Sequence, residues 1–457
     1  MISLNDEILA KNIAEAVRSA GGRAFFVGGY VRDMLMGVSC KDIDVEVYGL
    51  EPARLRALLA DFGQVYDKGA AFGVLGLRHS DLDVAMPRRE SLRGVKHTDF
   101  DISVDPYLSY RDASRRRDFT INAMMLDPLT GEIVDIWGGR EDLRKKIIRH
   151  VSDETFGDDA LRVFRAAQFA ARLNADIHPA TLSICRSMDV TALSRERVYE
   201  ELSKALIKAD SPSVFFRLLH SMGHLSEFFP EIEALIGVVQ NPKYHPEGDV
   251  FEHTMLVLDA AAQLRARAKE PLNFMLAALM HDLGKANATE ISPEGKITSY
   301  RHPDTGVVLA ETQLRRLTAN NRTIAYVKNM VFLHMRPNML ACSDSRKKKS
   351  REMFDLSLCP EDLMLVSRAD ASGKLDAPYD MQNWEYLSER LDDYYKCIAR
   401  PMVSGADLIA AGVKPGKQLG EMLARARSLH FSGVEKPRAL MQVLKEYKYE
   451  VTYAKKR

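Results

Sequence analysis

None of the five cysteines (Cys40, Cys185, Cys342, Cys359, Cys397) stands at C-x-x-C spacing from another. That argues against a zinc ribbon or a disulfide framework and fits a reducing cytoplasm. Charge of one sign is also missing. The chain carries 64 Lys and Arg against 63 Asp and Glu, a formal net charge of +1, so any nucleic-acid partner must be met by local patches. No apolar run is long enough to cross a bilayer. The start, MISLNDEILAKN, is polar and shows no signal-peptide pattern. Internal repeats and low-complexity segments are absent as well. What remains is a globular composition, 46% hydrophobic and 28% charged over 457 residues. That length exceeds one ordinary core and predicts two to four domains.

The chain is organised around Phe25 to Tyr48, FFVGGYVRDMLMGVSCKDIDVEVY. Ala24 to Val27 reads as a buried strand, broken by Gly28-Gly29, after which Tyr30 to Met36 has helical spacing. Strand, glycine pair and helix start predict an anion site, because glycine lets backbone approach a phosphate and helix-start N–H groups point at it. Arg32 adds a cationic fork suited to phosphate oxygens. Lys41 to Val47 then alternates strictly, as a half-buried strand does. Ile43, Val45 and Val47 share one face; Asp42, Asp44 and Glu46 share the other. Two carboxylates at this spacing suit magnesium beside a triphosphate. An acidic strand face is ordinarily just solvated, and a glycine pair alone is a weak signal. The two in this order and this close are a stronger one.

GG-x-V-R-D followed by D-x-D resembles the nucleotidyltransferases of the DNA polymerase β superfamily, and most closely the bacterial branch holding tRNA CCA-adding enzymes and poly(A) polymerases. The resemblance implies that Asp42 and Asp44 are catalytic and hold magnesium, and that Gly28, Gly29 and Arg32 hold phosphates. It gives the third acid to Asp83, in the strand run LDVAM, although a solvated strand acid is the competing reading there. The polar stretch 87–110 reads as a long loop and resembles in position the family's flexible loop. RDASRRRDFTINAM, 111–124, resembles the family's RRDFTINA signature. Its counterparts Arg116, Arg117, Asp118 and Asn122 are thereby implied in nucleotide binding. Residues 127–143 look like a hairpin closing the first domain.

Residues 145–235 lack strand patterns and read as helices. In DDALRVFRAAQFAARL, 158–173, Asp159, Arg162 and Arg165 recur at i, i+3 and i+6 and are expected on one helix face. This stretch resembles the family's protein template, whose carboxylate and guanidinium read the Watson–Crick edge of C or A. An ordinary surface ion-pair helix is the competing reading. Asp158 replaces the family's usual Glu. Gln168 stands where Arg is usual, which puts one cationic contact in doubt. RERVYEELSKAL, from Arg195, resembles the next helical signature.

A second cluster follows: His253 on a helix, His281-Asp282 in HDLGK, His302, His334 and Asp370. This order resembles the HD phosphohydrolase superfamily. It implies metal ligands at His253, His281, Asp282 and Asp370, with His302 and His334 as further candidates. Imidazole and carboxylate suit a divalent transition metal, or magnesium more weakly. Tyr244, His245 and Glu247 are weaker candidates for the same cleft. Ser343 to Arg351 is a basic run suited to RNA phosphates, with a solvated loop as the competing reading. The tail from Arg400 predicts a helix–turn–helix corner at Gly412 and Pro415-Gly416.

The expected architecture is α+β: a polymerase β-type head with a small mixed sheet (1–145), a helical neck (146–235), an HD domain (236–385) and a helical tail (386–457). The resemblance implies completion or repair of the 3′-terminal CCA of tRNA from CTP and ATP, with an HD phosphohydrolase activity. It implies no membrane and calls for no protein partner. Rival readings are a poly(A) polymerase or a partial CC- or A-adding enzyme, an HD phosphohydrolase with a relic head, and a non-catalytic RNA-binding protein.

Overall fold

The computed structural model describes residues 4–38, 43–69, 73–92, 100–343, 345–374 and 381–447. The chain divides into two compact units: residues 1–209 with 214–227, and 210–213 with 228–457.

The first unit begins with α1 (Leu4–Ser19), β1 (Arg23–Val27), α2 (Gly29–Leu35) and β2 (Ile43–Tyr48). Then come α3 (Pro52–Ala60), β3 (Val65–Gly69), β4 (Val74–Leu77) and β5 (Leu82–Ala85). After β6 (Arg88–Leu92) and β7 (Phe100–Val104) follow α4 (Tyr110–Arg115), β8 (Met125–Leu126), β9 (Ile133–Val134) and α5 (Gly139–Lys145). One seven-stranded mixed sheet, ordered β3-β4-β5-β2-β1-β8-β9, carries the unit. The alternation of Ile43, Val45 and Val47 has the predicted consequence: these three sit in a core with Phe26, Val31, Leu82, Val84 and the α1 residues Ile13 and Val17.

Two registers in this sheet matter for the site. β1 and β2 are antiparallel with Val27 opposite Asp44. β2 and β5 are parallel with Asp44 opposite Asp83. The glycine pair that follows Val27 therefore turns beside Asp44, and Asp83 lies one strand spacing away, about 4.8 Å between backbones.

The stretch 87–110 is not a plain loop. β6 and β7 form an antiparallel ladder, with Arg88 opposite Val104 and Leu92 opposite Phe100. Backbone pairing here needs no apolar period, so the pattern gave no sign of it. A short parallel pair, β10 (Ile147–Ile148) with β11 (Asp176–Ile177), likewise interrupts the expected all-helical stretch. Around it lie α6 (Leu161–Leu173), α7 (Pro179–Ser187) and α8 (Arg195–Lys208). Next in the chain are α9 (Ser213–Met222), α10 (Leu225–Phe228) and α11 (Pro230–Glu233), the last with a proline at its first turn.

Among its described residues the second unit is helical apart from one two-stranded pair, β12 (Glu290–Ile291) with β13 (Ile297–Thr298). Its helices are α12 (Val250–Leu264), α13 (Pro271–Met280), α14 (Lys285–Ala288), α15 (His302–Leu317), α16 (Asn321–Leu333), α17 (Met335–Cys342), α18 (Lys347–Leu356), α19 (Pro360–Ser372) and α20 (Met381–Ile398). The tail holds α21 (Gly405–Ala410), α22 (Lys417–Phe431) and α23 (Lys436–Glu446) around their own apolar cluster. The basic run, for which a solvated loop is one of the two readings, lies largely in α18. Arg351 is buried there and pairs with Asp393 at 2.7 Å, and Lys347 reaches the same carboxylate at 3.1 Å.

Candidate active site and candidate metal centre

The first unit holds a cavity of about 520 Å³. Gly28, Gly29, Asp44, Arg117 and Asn122 line it, as do Arg32, Asp118, Asp159, Arg162, Arg165, Gln168, Arg172, Lys204 and Lys208. Seven cationic side chains against three carboxylates make it an anion receptor. Gly28 has φ +70°, and a Cβ there would stand 3.5 Å from Asp44 Oδ2 and 3.6 Å from Arg117 Nη1. A positive φ favours glycine, which accounts for the break between strand and helix. Asp42 lies outside the described residues.

Most of the arginines are already tied into the protein. Arg32, nearly buried, donates to Asp33 Oδ1 at 2.7–2.8 Å and to Asn122 Oδ1 at 2.6 Å. Its burial lowers its pKa below the usual guanidinium value. Asp33 also accepts from Arg172 at 3.0 Å. Asp118 accepts from Arg165 at 2.8 Å, from Asn122 at 3.0 Å and from its neighbour's backbone N–H at 2.7 Å. Burial would raise the Asp118 carboxyl, but Arg165 and these donors outweigh it and hold it below the carboxylate range. Arg162 donates to the carbonyls of Thr155 and Arg116. Asp159 is not on the helix face expected for it. It precedes α6 in extended backbone, accepts from Leu161 N–H at 3.1 Å and pairs with Arg197 at 2.8 Å. An aspartate bonds readily to backbone N–H groups just ahead of a helix, which takes it off the i, i+3 ladder.

Glu46 departs from a solvated strand face. It is 1% exposed. It accepts from Tyr48 Oη at 2.9 Å and faces Arg116 and Arg117 at 3.3 and 3.4 Å. Burial opposes its charge, yet Arg117 and Arg116 prevail and hold its carboxyl below 4.5. Removing one partner of such a pair leaves buried charge uncompensated. Glu46→Ala is therefore expected to lower the unfolding free energy by about 3 kcal/mol, read by denaturant titration. The sign with pH follows: stability from Glu46 is full above its unfolded value and is lost as pH falls below about 4.5 towards its lower folded value. Glu46→Gln should remove that component of the acid limb, and an unaltered acid limb would contradict this.

In the second unit, five helices deliver one buried cluster. His253 is on α12, His281-Asp282 follows α13, His302 opens α15, His334 stands between α16 and α17, and Asp370 is on α19. His253 Nε2 lies 3.1 Å from Asp370 Oδ1. The Nε2 atoms of His281, His302 and His334 lie 3.2, 3.2 and 3.6 Å from Asp282 oxygens. Their Nδ1 atoms sit 2.7–2.9 Å from the carbonyls of Ala278, Ser299 and Val331. A carbonyl can only accept, so Nδ1 carries the proton and Nε2 presents a lone pair to the centre. Among the described residues the buried His281 Nε2 and Asp282 Oδ1 have no hydrogen-bond partner. Among the described residues three triads are spaced to hold a cation: His253-His281-Asp370, Asp282-His302-His334 and, beside them, His245-Glu247-His253. This donor set fits a divalent metal. Burial would raise Asp282, but Lys285 and His281 outweigh it and keep the carboxyl well below its usual range.

Gly284 explains the glycine of HDLGK, since a Cβ there would meet the His302 carbonyl at 1.9 Å. Three residues escaped assignment from sequence. Lys285 pairs with Asp282 at 2.6 Å, a contact its i+3 spacing allows. Glu46 had only its place in the acidic alternation. Arg172 carried no local signal. Glu247, a weak candidate, contacts the Nδ1 atoms of both His253 and His245, at 2.8 and 2.9 Å. Tyr244 is exposed.

A mixed sheet with paired carboxylates beside a glycine turn, walled by arginines, defines a nucleotidyltransferase head; an HD-type centre accompanies it on the same chain. Family models agree: residues 24–149 match the poly A polymerase head domain, 176–236 the probable RNA and SrmB-binding site of polymerase A, and 250–372 the HD domain. The "Multifunctional CCA protein" of Alkalilimnicola ehrlichii is 33% identical over 420 residues, covering 89% of this chain and 96% of that one. The chain belongs to the multifunctional CCA protein family. Among the solved structures that share its fold are two CCA-adding enzymes. One is the Bacillus stearothermophilus CCA-adding enzyme in complex with CTP, with TM-score 0.67 and 22% identity over 97% of both chains. The other is the Thermotoga maritima CCA-adding enzyme complexed with tRNA-CCA, with TM-score 0.61 and 17% identity over 98% of this chain and 96% of that one.

Proposed function

We propose that the protein adds or repairs the 3′-terminal CCA of tRNA from CTP and ATP, and that its HD centre is a metal-dependent phosphohydrolase. The observation that carries the first reading is the register that sets Asp44 against both Asp83 and the glycine turn, inside a cationic cavity closed by α6. The tRNA 3′-oxygen attacks the α-phosphorus of the nucleotide, and pyrophosphate leaves. A divalent cation, proposed to be magnesium, would be held by Asp44 with Asp42 and Asp83, and supplies charge neutralisation and hydroxyl acidity when bound. Gly28, Gly29 and Arg117 receive the triphosphate. Arg32, Asp118, Asn122 and Arg165 brace one another and keep the cavity wall in place. Arg116 works from beside Glu46. Asp159 accepts from the exocyclic amine that C and A share in kind, and Arg162 donates to the ring acceptor beside it. G and U present the wrong pattern to this pair.

In the HD centre the proposed ligands are His253, His281, Asp282 and Asp370, with His302 and His334 completing a second triad. A transition-metal divalent cation is the proposed occupant. We place the functional parts at 1–145, 146–235, 236–385 and 386–457, with the tail meeting tRNA. No helix among the described residues is long and apolar enough to cross a membrane, and a cytoplasmic location is proposed.

The test uses tRNA transcripts ending at the discriminator base, at C and at CC, each offered single nucleotides and read at single-nucleotide resolution. Two C and one A followed by a stop supports the reading. A long A tail, or C or A alone, assigns a poly(A) or partial enzyme, and no addition to any transcript leaves only the HD activity. Arg162→Ala is expected to reduce discrimination of CTP over UTP by at least about tenfold, the value of one charge-assisted hydrogen bond. Unchanged discrimination would place the template elsewhere.

A further inference from the structure

Gln168 sits mid-way along α6, is 1% exposed and lines the cavity. Its amide nitrogen is buried and has no hydrogen-bond partner among the described residues. Buried polar groups are nearly always paired, and leaving one unpaired is costly, so such an atom calls for an explanation. The charged neighbours along the same helix are engaged. Arg165, three residues before, is held by Asp118, and Arg172, four residues after, is held by Asp33. Arg32, which also lines the cavity, is held by Asp33 and Asn122. Gln168 is thus a donor in an anion-receptive cavity, beside Arg32, Arg165 and Arg172, each braced against a carboxylate.

We infer that the Gln168 amide donates to an oxygen of the incoming nucleotide's ribose–triphosphate moiety, a contact common to CTP and ATP. This rests on the cavity being the nucleotide site. The position along α6 selects that moiety over the base. Gln168 lies six residues beyond Arg162, about 9 Å along the helix axis. It therefore sits away from the base-reading end and level with the Arg165 to Arg172 stretch, whose Arg172 is tied through Asp33 to α2 directly behind the glycine turn. The neutral amide also fits the charge of the cavity. It adds a hydrogen bond without placing a further guanidinium among Arg32, Arg165 and Arg172.

The variant Gln168→Met keeps length and loses the donor; Gln168→Glu keeps shape and offers only acceptors. Each is assayed with CTP on a transcript ending at the discriminator base and with ATP on one ending at CC, and CTP binding is measured by equilibrium dialysis. Gln168→Met is expected to raise KM for both nucleotides, and the CTP Kd, by the same factor of about ten, with kcat within about twofold and melting temperature unchanged. Gln168→Glu is expected to raise KM further, since a carboxylate opposes the phosphates. Assay with 2′-deoxy-CTP tells the two oxygens apart. If the wild-type penalty for this analogue vanishes in Gln168→Met, the contact is to the ribose 2′-hydroxyl; if it persists, the contact is to another oxygen of the ribose–triphosphate moiety. Unchanged KM and Kd in both variants would overturn the inference, as would a change confined to one nucleotide, which would put the contact at the base. Should Gln168→Met fold poorly, Gln168→Glu and Gln168→Asn carry the same comparison. Wild-type protein that adds no nucleotide to any transcript defeats the nucleotidyl-transfer reading itself, a result separate from wild-type-like variants of an active enzyme.

Discussion

Replacing Asp44 by asparagine is expected to reduce nucleotide addition by at least about a thousandfold, while the protein stays folded. The size follows from the chemistry. The carboxylate is a ligand for the cation that offsets charge developing on the triphosphate, and that stabilisation amounts to several kcal/mol. The fold should tolerate the change because Asp44 is an exposed position on β2, whereas its neighbours Ile43 and Val45 are each 1% exposed. Substitutions at such surface positions usually shift stability by about 0.5 kcal/mol or less. The measurement is single-turnover addition of CTP across a magnesium titration, beside a melting curve. Addition within tenfold of wild type in a folded Asp44→Asn protein would remove Asp44 from the reaction. Recovery at high magnesium would instead confirm a weakened ligand. Asp83, its register partner, pairs with Lys68, so the two carboxylates are not equivalent and Asp83→Asn should cost less.

The second large effect concerns Asp282. Asp282→Asn is expected to abolish metal-dependent phosphohydrolase activity and to lower bound metal to background, with nucleotide addition retained. Three imidazole Nε2 atoms converge on this one carboxylate, so losing its charge removes a donor shared by the candidate ligands. Lys285 simultaneously loses its ion-pair partner. A lower melting temperature of the second unit is therefore expected too, because an uncompensated buried cation destabilises. Metal content is read by mass spectrometry after dialysis and hydrolysis with a 2′,3′-cyclic phosphate substrate. Loss of nucleotide addition in a folded variant would show that the two activities depend on each other. Full retention of hydrolysis would move the metal centre away from Asp282.

Much of the site was legible locally. FFVGGYVRD placed a strand, a glycine turn and a helix almost to the residue, because glycine and apolar runs act on backbone within a few positions. RRDFTINAM marked the segment 116–124 that carries Arg116, Arg117, Asp118 and Asn122, and HDLGK marked Asp282 together with the close-packed Gly284. Where the reading failed, the cause lay in non-local partners. Glu46 looked like one more acid on a wet face, and only Arg116 and Arg117, some 70 positions away in the chain, made it a buried ion. Asp159 looked like the first residue of a helical ladder, and backbone N–H groups drew it out of the helix. The β6–β7 hairpin used backbone hydrogen bonds that impose no side-chain period.

The sequence by itself determined the types of element, the periodic core faces, and the residue kinds available for phosphate, base and metal chemistry. These follow from periods of two and 3.6 residues and from the glycine backbone, which act over a single turn or strand. The tertiary structure decided which of those residues meet. The Val27–Asp44–Asp83 register brings three separate strands to one point. His253 reaches Asp370 across 117 positions of chain. Such meetings depend on how whole elements pack and on which buried charges find compensation, and no local spacing encodes either.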